Sequence, residues 1–133
     1  MPCTAARTSA TPSARWPPIN EVIRIGTAGW SIPRDAAESF PGTGAHLERY
    51  ARRLPCAEIN SSFYRPPRAS TWKKWAALVP DGFHFAVKAP KAITHEAGLD
   101  CARTPEALAE FIEAASLLGD RLGPLLFLSL IHI

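Results

Sequence analysis

At 133 residues the chain is long enough for one domain and short for two. Hydrophobic residues make up 47% and charged residues 20%, as in ordinary globular chains, and no apolar run approaches the roughly 20 residues needed to cross a bilayer, so a membrane partner is not expected. The formal charge of +3, from 15 Lys and Arg against 12 Asp and Glu spread along the chain, does not by itself mark a nucleic-acid-binding protein.

Residues 1–21 combine Ala, Ser, Thr and Pro with two Arg and, up to Asn20, no acid, and they carry no hydrophobic period. Such a composition buries too little to offset its ordering entropy, so a disordered N-terminal extension is expected. Cys3, Cys56 and Cys101 lack metal-ligand spacing. An odd count with no signal peptide points to free thiols in a reducing, cytoplasmic setting, with Cys56 as a small apolar filler.

Order is expected from Val22, where Val22-Ile-Arg-Ile-Gly-Thr-Ala28 alternates as a first strand and runs into Gly29-Trp30-Ser31. Thr43 is placed to cap a helix with Leu47, Tyr50, Ala51 and Leu54 on one stripe, stopped by Pro55. Cys56–Asn60 reads as a second strand, with Ala57 and Ile59 on one face and Cys56, Glu58 and Asn60 on the other. A loop with Phe63, Tyr64, Arg65 and a Pro pair follows. Ser70 or Thr71 then opens a helix with Trp72, Trp75, Ala76 and Val79 on its stripe. Phe83–Lys88 is a third strand, and the loop after it holds Thr94, His95 and Glu96. Thr104-Pro105-Glu106 starts a third helix, with Leu108, Phe111, Ile112 and Ala115 buried and Gly119 at its end, and Leu125–Phe127 begins a fourth strand.

Strand and helix alternation of this kind means a parallel sheet with right-handed crossovers. Gly26, Gly29, Gly42 and Gly44 match neither the dinucleotide-binding nor the P-loop spacing, which disfavours a nucleotide-binding open sheet. One strand face is apolar, through Ile23, Ile25, Thr27, Ala57, Ile59, Phe83, Phe85 and Val87. The other is small and polar, through Arg24, Gly26, Ala28, Cys56, Glu58, Asn60, His84, Ala86 and Lys88. Parallel strands of an open sheet are usually apolar on both faces, so the polar face fits a barrel lumen in which Arg24, Glu58, His84 and Lys88 neutralise one another.

Six motifs in order, Gly26-Thr-Ala-Gly-Trp-Ser31, Glu58-Ile-Asn-Ser-Ser-Phe-Tyr-Arg65, Trp72-x-x-Trp75, Phe85-x-Val-Lys88-Ala-Pro90, Ile93-Thr-His95 and Leu122-Gly-Pro-Leu-Leu-Phe127, resemble the domain of unknown function 72 family, also called YecE-like. The resemblance covers about Ile23 to Phe127 and implies an α/β, TIM-like (β/α) barrel. This chain would hold its N-terminal half over residues 22–127, with about four parallel strands and three helices. The family has no established activity, so the resemblance supplies a fold and a site but no reaction. Two departures stand out: Ile32 replaces an aromatic after Trp-Ser, and Phe127 is followed by Leu128-Ser129 where Gln-Leu-Pro-Pro is usual. Leu128-Ser-Leu-Ile-His-Ile133 reads as the translation of a transposon end used in sequencing libraries, CTG TCT CTT ATA CAC ATC. Residues 128–133 are therefore expected to be a non-native tail on an inactive fragment.

Barrel active sites lie on loops at the C-terminal ends of the strands. Those positions hold Trp30 and Ser31, then Asn60, Ser61, Phe63, Tyr64 and Arg65, then Lys88, Thr94 and His95. An enzyme would use Glu58 or His95 as general base, Lys88 to stabilise negative charge and Asn60 to orient, with Trp30, Phe63 and Tyr64 as an aromatic wall. Arg65 and Lys88 suit a small anionic or phosphorylated ligand. The plainer alternative makes Glu58 a lumen ion-pair partner, His95 a loop hydrogen bonder and the aromatics a packed rim. As alternatives to that leading reading, a non-catalytic binding module stays open, as does nucleic-acid binding through Arg65, Arg68, Lys73 and Lys74, although the two lysines suit a solvated helix face. Glu58, His84 and His95 have metal-ligand chemistry, but no close-spaced motif supports a metal, and no cofactor is indicated. Four strands of a barrel leave two open edges, through which such a fragment is expected to self-associate.

Overall fold

The computed structural model describes residues 23–100 and 102–128. Four strands, β1 (Thr27–Ala28), β2 (Cys56–Ile59), β3 (His84–Lys88) and β4 (Leu122–Leu126), form one sheet in the order β1-β2-β3-β4. Every pairing is parallel, and helices α1 (His46–Ala51), α2 (Ala69–Leu78) and α3 (Pro105–Ser116) lie on the crossovers between successive strands. Four strands and three helices in strict alternation are what the periodicities predict. The residues of the N-terminal extension and, beyond Leu128, of the tail lie outside the described residues.

The two-faced reading of the strands holds in register. Thr27 pairs with Ala57 and Ala57 with Phe85, while Ala28 pairs with Glu58 and Glu58 with Ala86. Ala57, Ile59, Phe85 and Val87 are buried in a core shared with Leu47, Tyr50, Trp72, Phe83, Phe111 and Leu118. Cys56, Glu58, His84, Ala86 and Lys88 on the other face are only half-buried. The proposed neutralisation across that face is absent: among the described residues the ion pairs are Lys91–Glu96 and Arg121–Asp81, and His84 Nδ1 lies 2.9 Å from the Gly82 carbonyl oxygen instead.

Several boundaries differ from expectation. The first strand is two residues long, and Ile23 and Ile25, expected to face the helices, are 83% and 72% exposed. Alternation alone cannot bury a side chain, and no described element covers them. Thr43 does not cap α1; Ala45 precedes the helix, and Glu48 Oε2 accepts from the Ala45 N–H at 2.7 Å, so the acid in the first turn takes over the capping. The helix stops at Ala51, and a Tyr50-centred turn carries the chain to Leu54. Arg68, not Ser70 or Thr71, precedes α2, and no side chain caps it. The fourth strand begins at Leu122, three residues early, because a bulge absorbs Gly123 and Pro124: Phe85 pairs with Leu122 and Val87 with Leu125. Proline is tolerated in such an irregularity since it has no N–H to lose from the ladder.

Tyr50 ties α1 to the sheet. Its hydroxyl donates to the Cys56 carbonyl oxygen at 2.9 Å and accepts from the Thr27 N–H at 2.8 Å, so one buried side chain bridges the backbones of β1 and β2. Gly26 meets β2 so closely that a Cβ would stand 2.0 Å from the Cys56 carbonyl oxygen.

Candidate functional site

Two loops at the C-terminal ends of β2 and β3 build the site. After Ile59 the chain enters a 3-10 turn, Ser61–Phe63, in which the Phe63 N–H donates to the Asn60 carbonyl at 3.2 Å. The turn breaks the strand alternation and points Ser62 inward. Ser62 is 1% exposed, and its Oγ lies 2.6 Å from the Lys88 carbonyl oxygen and 3.0 Å from that of Ile59, fastening the first loop to the end of β3. After β3, Ala92–Glu96 forms a π-helical turn, a geometry found mostly as single turns and often at functional sites. It buries Ile93 and Thr94 and leaves His95 half-exposed.

The two loops meet on the Phe63 ring. Lys88 Nζ stands 4.3 Å from its centroid, over the face. The His95 ring lies edge-on at 5.0 Å and the Tyr64 ring edge-on at 4.9 Å. An ammonium over an aromatic face gains about 0.5–1 kcal/mol at a partly exposed site, which holds Lys88 in place without removing its charge. Lys88 forms no ion pair among the described residues, so its charge is available to an anion.

His95 is oriented from behind. Thr94 Oγ1 lies 2.7 Å from His95 Nδ1 and 3.4 Å from the Pro90 carbonyl oxygen. When the hydroxyl donates to the carbonyl, Nδ1 carries the ring proton and Nε2 is a base; when it donates to Nδ1, Nε2 is a donor.

The remaining candidates fall into other surroundings. Asn60, Ser61, Tyr64 and Arg65 are exposed on the first loop, and Ser31 is exposed after β1. Trp30 does not join the Phe63 wall. Its ring packs edge-on against Trp75 at 5.2 Å and Phe85 at 5.8 Å, on the helix side of the sheet, because the loop turns at Gly29 with φ +78°. Glu58 faces away from the core, flanked by the small Ala28 and Ala86, in a concavity of about 250 Å³ that Arg24, Gly26 and Cys56 also line. Neither Asn60 nor Lys88 lines that space. No group of three His, Cys, Asp or Glu side chains converges among the described residues, so Glu58, His84 and His95 do not share a ligand position. Sequence reasoning passed over Ser62 in favour of Ser61; strand alternation gives no signal once the chain enters a 3-10 turn.

Parallel β/α units in sequence order, with the polar loops gathered at the C-terminal strand ends, define a protein of the TIM-like barrel class. The chain belongs to the family described as protein of unknown function DUF72, whose model matches residues 24–128. It is 31% identical over 102 residues to the UPF0759 protein YecE of Escherichia coli K12, a match covering 77% of this chain and 35% of that protein. It is also 31% identical over 78 residues to the UPF0759 protein YunF of Bacillus subtilis 168, covering 58% of this chain and 28% of the relative. A crystal structure of a DUF72 family protein of Enterococcus faecalis V583 superposes with a TM-score of 0.63 at 24% identity, over 78% of this chain and 38% of that one. The chain thus spans about a third of the length of the relatives it matches, and the solved neighbours are TIM-like barrels. Among the described residues no helix is long and apolar enough to cross a membrane.

Proposed function

We propose that this chain supplies part of a barrel site for a small anionic or phosphorylated substrate, held at the C-terminal ends of β2 and β3. The observation that carries this reading is the Lys88 ammonium, over the Phe63 ring and without a carboxylate partner among the described residues, beside the oriented imidazole of His95. Lys88 and the exposed Arg65 supply charge, Phe63 and Tyr64 a surface for an apolar ring face, and Asn60, Ser61 and Thr94 hydrogen-bonding groups on or beneath the same loops. His95, with Nδ1 against Thr94, suits proton transfer at Nε2, in a hydrolysis or an isomerisation. Glu58, a carboxylate, would contribute as a second base beside His95 only if the substrate extends into its concavity.

Calorimetric titration of the full chain with ribose 5-phosphate and with ribose tests the binding step. Ribose 5-phosphate is expected to bind and ribose to bind at least about tenfold more weakly, the value of a charge-assisted hydrogen bond. Lys88→Met should abolish the difference while leaving the far-UV circular dichroism unchanged. Equal affinity for the two sugars, or an unaltered preference in Lys88→Met, removes the anion site. Retained affinity in His95→Gln without any turnover by the parent chain would make this a binding module.

A further inference from the structure

The Lys88 ammonium and the Tyr64 ring lean on the same Phe63 ring, at 4.3 Å and 4.9 Å from its centroid. Both remain open to a ligand. Lys88 Nζ has no partner among the described residues and is not one of their buried polar atoms, and Tyr64 is 73% exposed. The Tyr64 ring meets Phe63 at 89°, and with so much of it exposed at least one of its faces stays free. Sharing one neighbour keeps the charge and the free aromatic face no further apart than those two contacts laid end to end, which one ribose phosphate spans.

The loop chemistry narrows what lies on that face. From Asn60 to Arg68 the loop after β2 carries no acid, and Glu96 on the second loop is held by Lys91 at 3.6 Å. Burying the many hydroxyls of a hexose needs as many acceptors, which these loops lack, whereas a flat heteroaromatic ring gains from stacking alone. Asn60 and Ser61, exposed on the same loop, offer acceptors for the hydroxyls of a ribose. Arg65 and Arg68, also exposed there, favour negative charge. Successive bases of a strand need successive platforms, and the other aromatic among the exposed large side chains, Phe127, packs against Phe111 of α3 instead. We propose that the Lys88 site takes a nucleoside monophosphate, with its phosphate on Lys88 and its base stacked on Tyr64. This ligand requires the anion site proposed above and adds to it the base platform.

Calorimetric titration of the full chain with adenosine 5′-monophosphate (AMP), adenosine and ribose 5-phosphate separates the two. AMP is expected to bind at least about fivefold more tightly than ribose 5-phosphate, the value of one stacked base. Tyr64→Ala should erase that advantage, and Tyr64→Phe, which keeps the ring, should retain it. AMP binding no tighter than ribose 5-phosphate, with ribose 5-phosphate still preferred over ribose, overturns the base platform and leaves the anion site standing. AMP binding no tighter than adenosine overturns the anion site and the nucleotide with it. An AMP advantage that survives in Tyr64→Ala overturns the proposal by placing the base elsewhere. So does an oligothymidylate strand that binds at least about tenfold more tightly than AMP and loses that excess in Tyr64→Ala.

Discussion

Tyr50 and Ser62 are the residues whose loss should be felt furthest from their own positions. Tyr50→Phe keeps the ring contacts with Phe40 and Phe83 but leaves the Thr27 N–H and the Cys56 carbonyl without their partner. A loss of roughly 1–3 kcal/mol is expected in urea unfolding, the cost of unpaired partly buried groups. Ser62→Ala removes the fastening between the loop after β2 and the Lys88 carbonyl. The expected result is a small stability change with a weakened ribose 5-phosphate affinity; unaltered affinity would mean that the loop holds its position without the serine. Trp72 belongs to the core by burial, so Trp72→Ala should cost about 3–5 kcal/mol, whereas Trp72→Phe retains most of the packing and loses the indole donor.

At the level of elements, the pairing of β1 is the weak point of the sheet. Only Thr27 and Ala28 pair with β2, with the Gly29 N–H adding a bond to the Glu58 carbonyl at 2.8 Å. The close approach of Gly26 permits that pairing, and Gly26→Ala would drive a methyl group into the Cys56 carbonyl. Hydrogen exchange in Gly26→Ala should show the Thr27 and Gly29 amides losing protection while those of β3 keep theirs. Equal loss across all four strands would mean that β1 and the rest of the sheet open as one cooperative unit. The π-helical turn Ala92–Glu96 leads into Gly98 and Leu99, both at φ near +62°, a backbone region that costs a leucine energy and sets the path away from His95.

For the whole molecule, the sheet order leaves β1 and β4 with one neighbour each among the described residues, and Ile23, Ile25 and Leu128 stand exposed near those edges. Unpaired backbone beside apolar side chains favours pairing with a second copy. Light scattering on the full chain is expected to show mass rising with concentration, and Ile23→Lys with Ile25→Lys should lower it; a monodisperse monomer at all concentrations would remove this expectation.

The sequence by itself determined the parallel α/β class, the order of strands and helices, and the face on which each residue of β2 and β3 lies, since periods of 2 and 3.6 are local and the register of Ala57 with Phe85 follows from burying one face. It also carried the family, through motifs from Gly26 to Phe127. Tertiary structure alone decided which candidates meet. Lys88, Tyr64 and His95 gather on Phe63 because the 3-10 turn after β2, fastened by Ser62 to the end of β3, lies beside the π turn that follows β3. Trp30 is drawn instead into the helix layer by Trp75, and Glu58 is left apart from Lys88. Caps and strand ends were misplaced for the same reason: they depend on hydrogen bonds and cover supplied by residues distant in sequence, which no local pattern records.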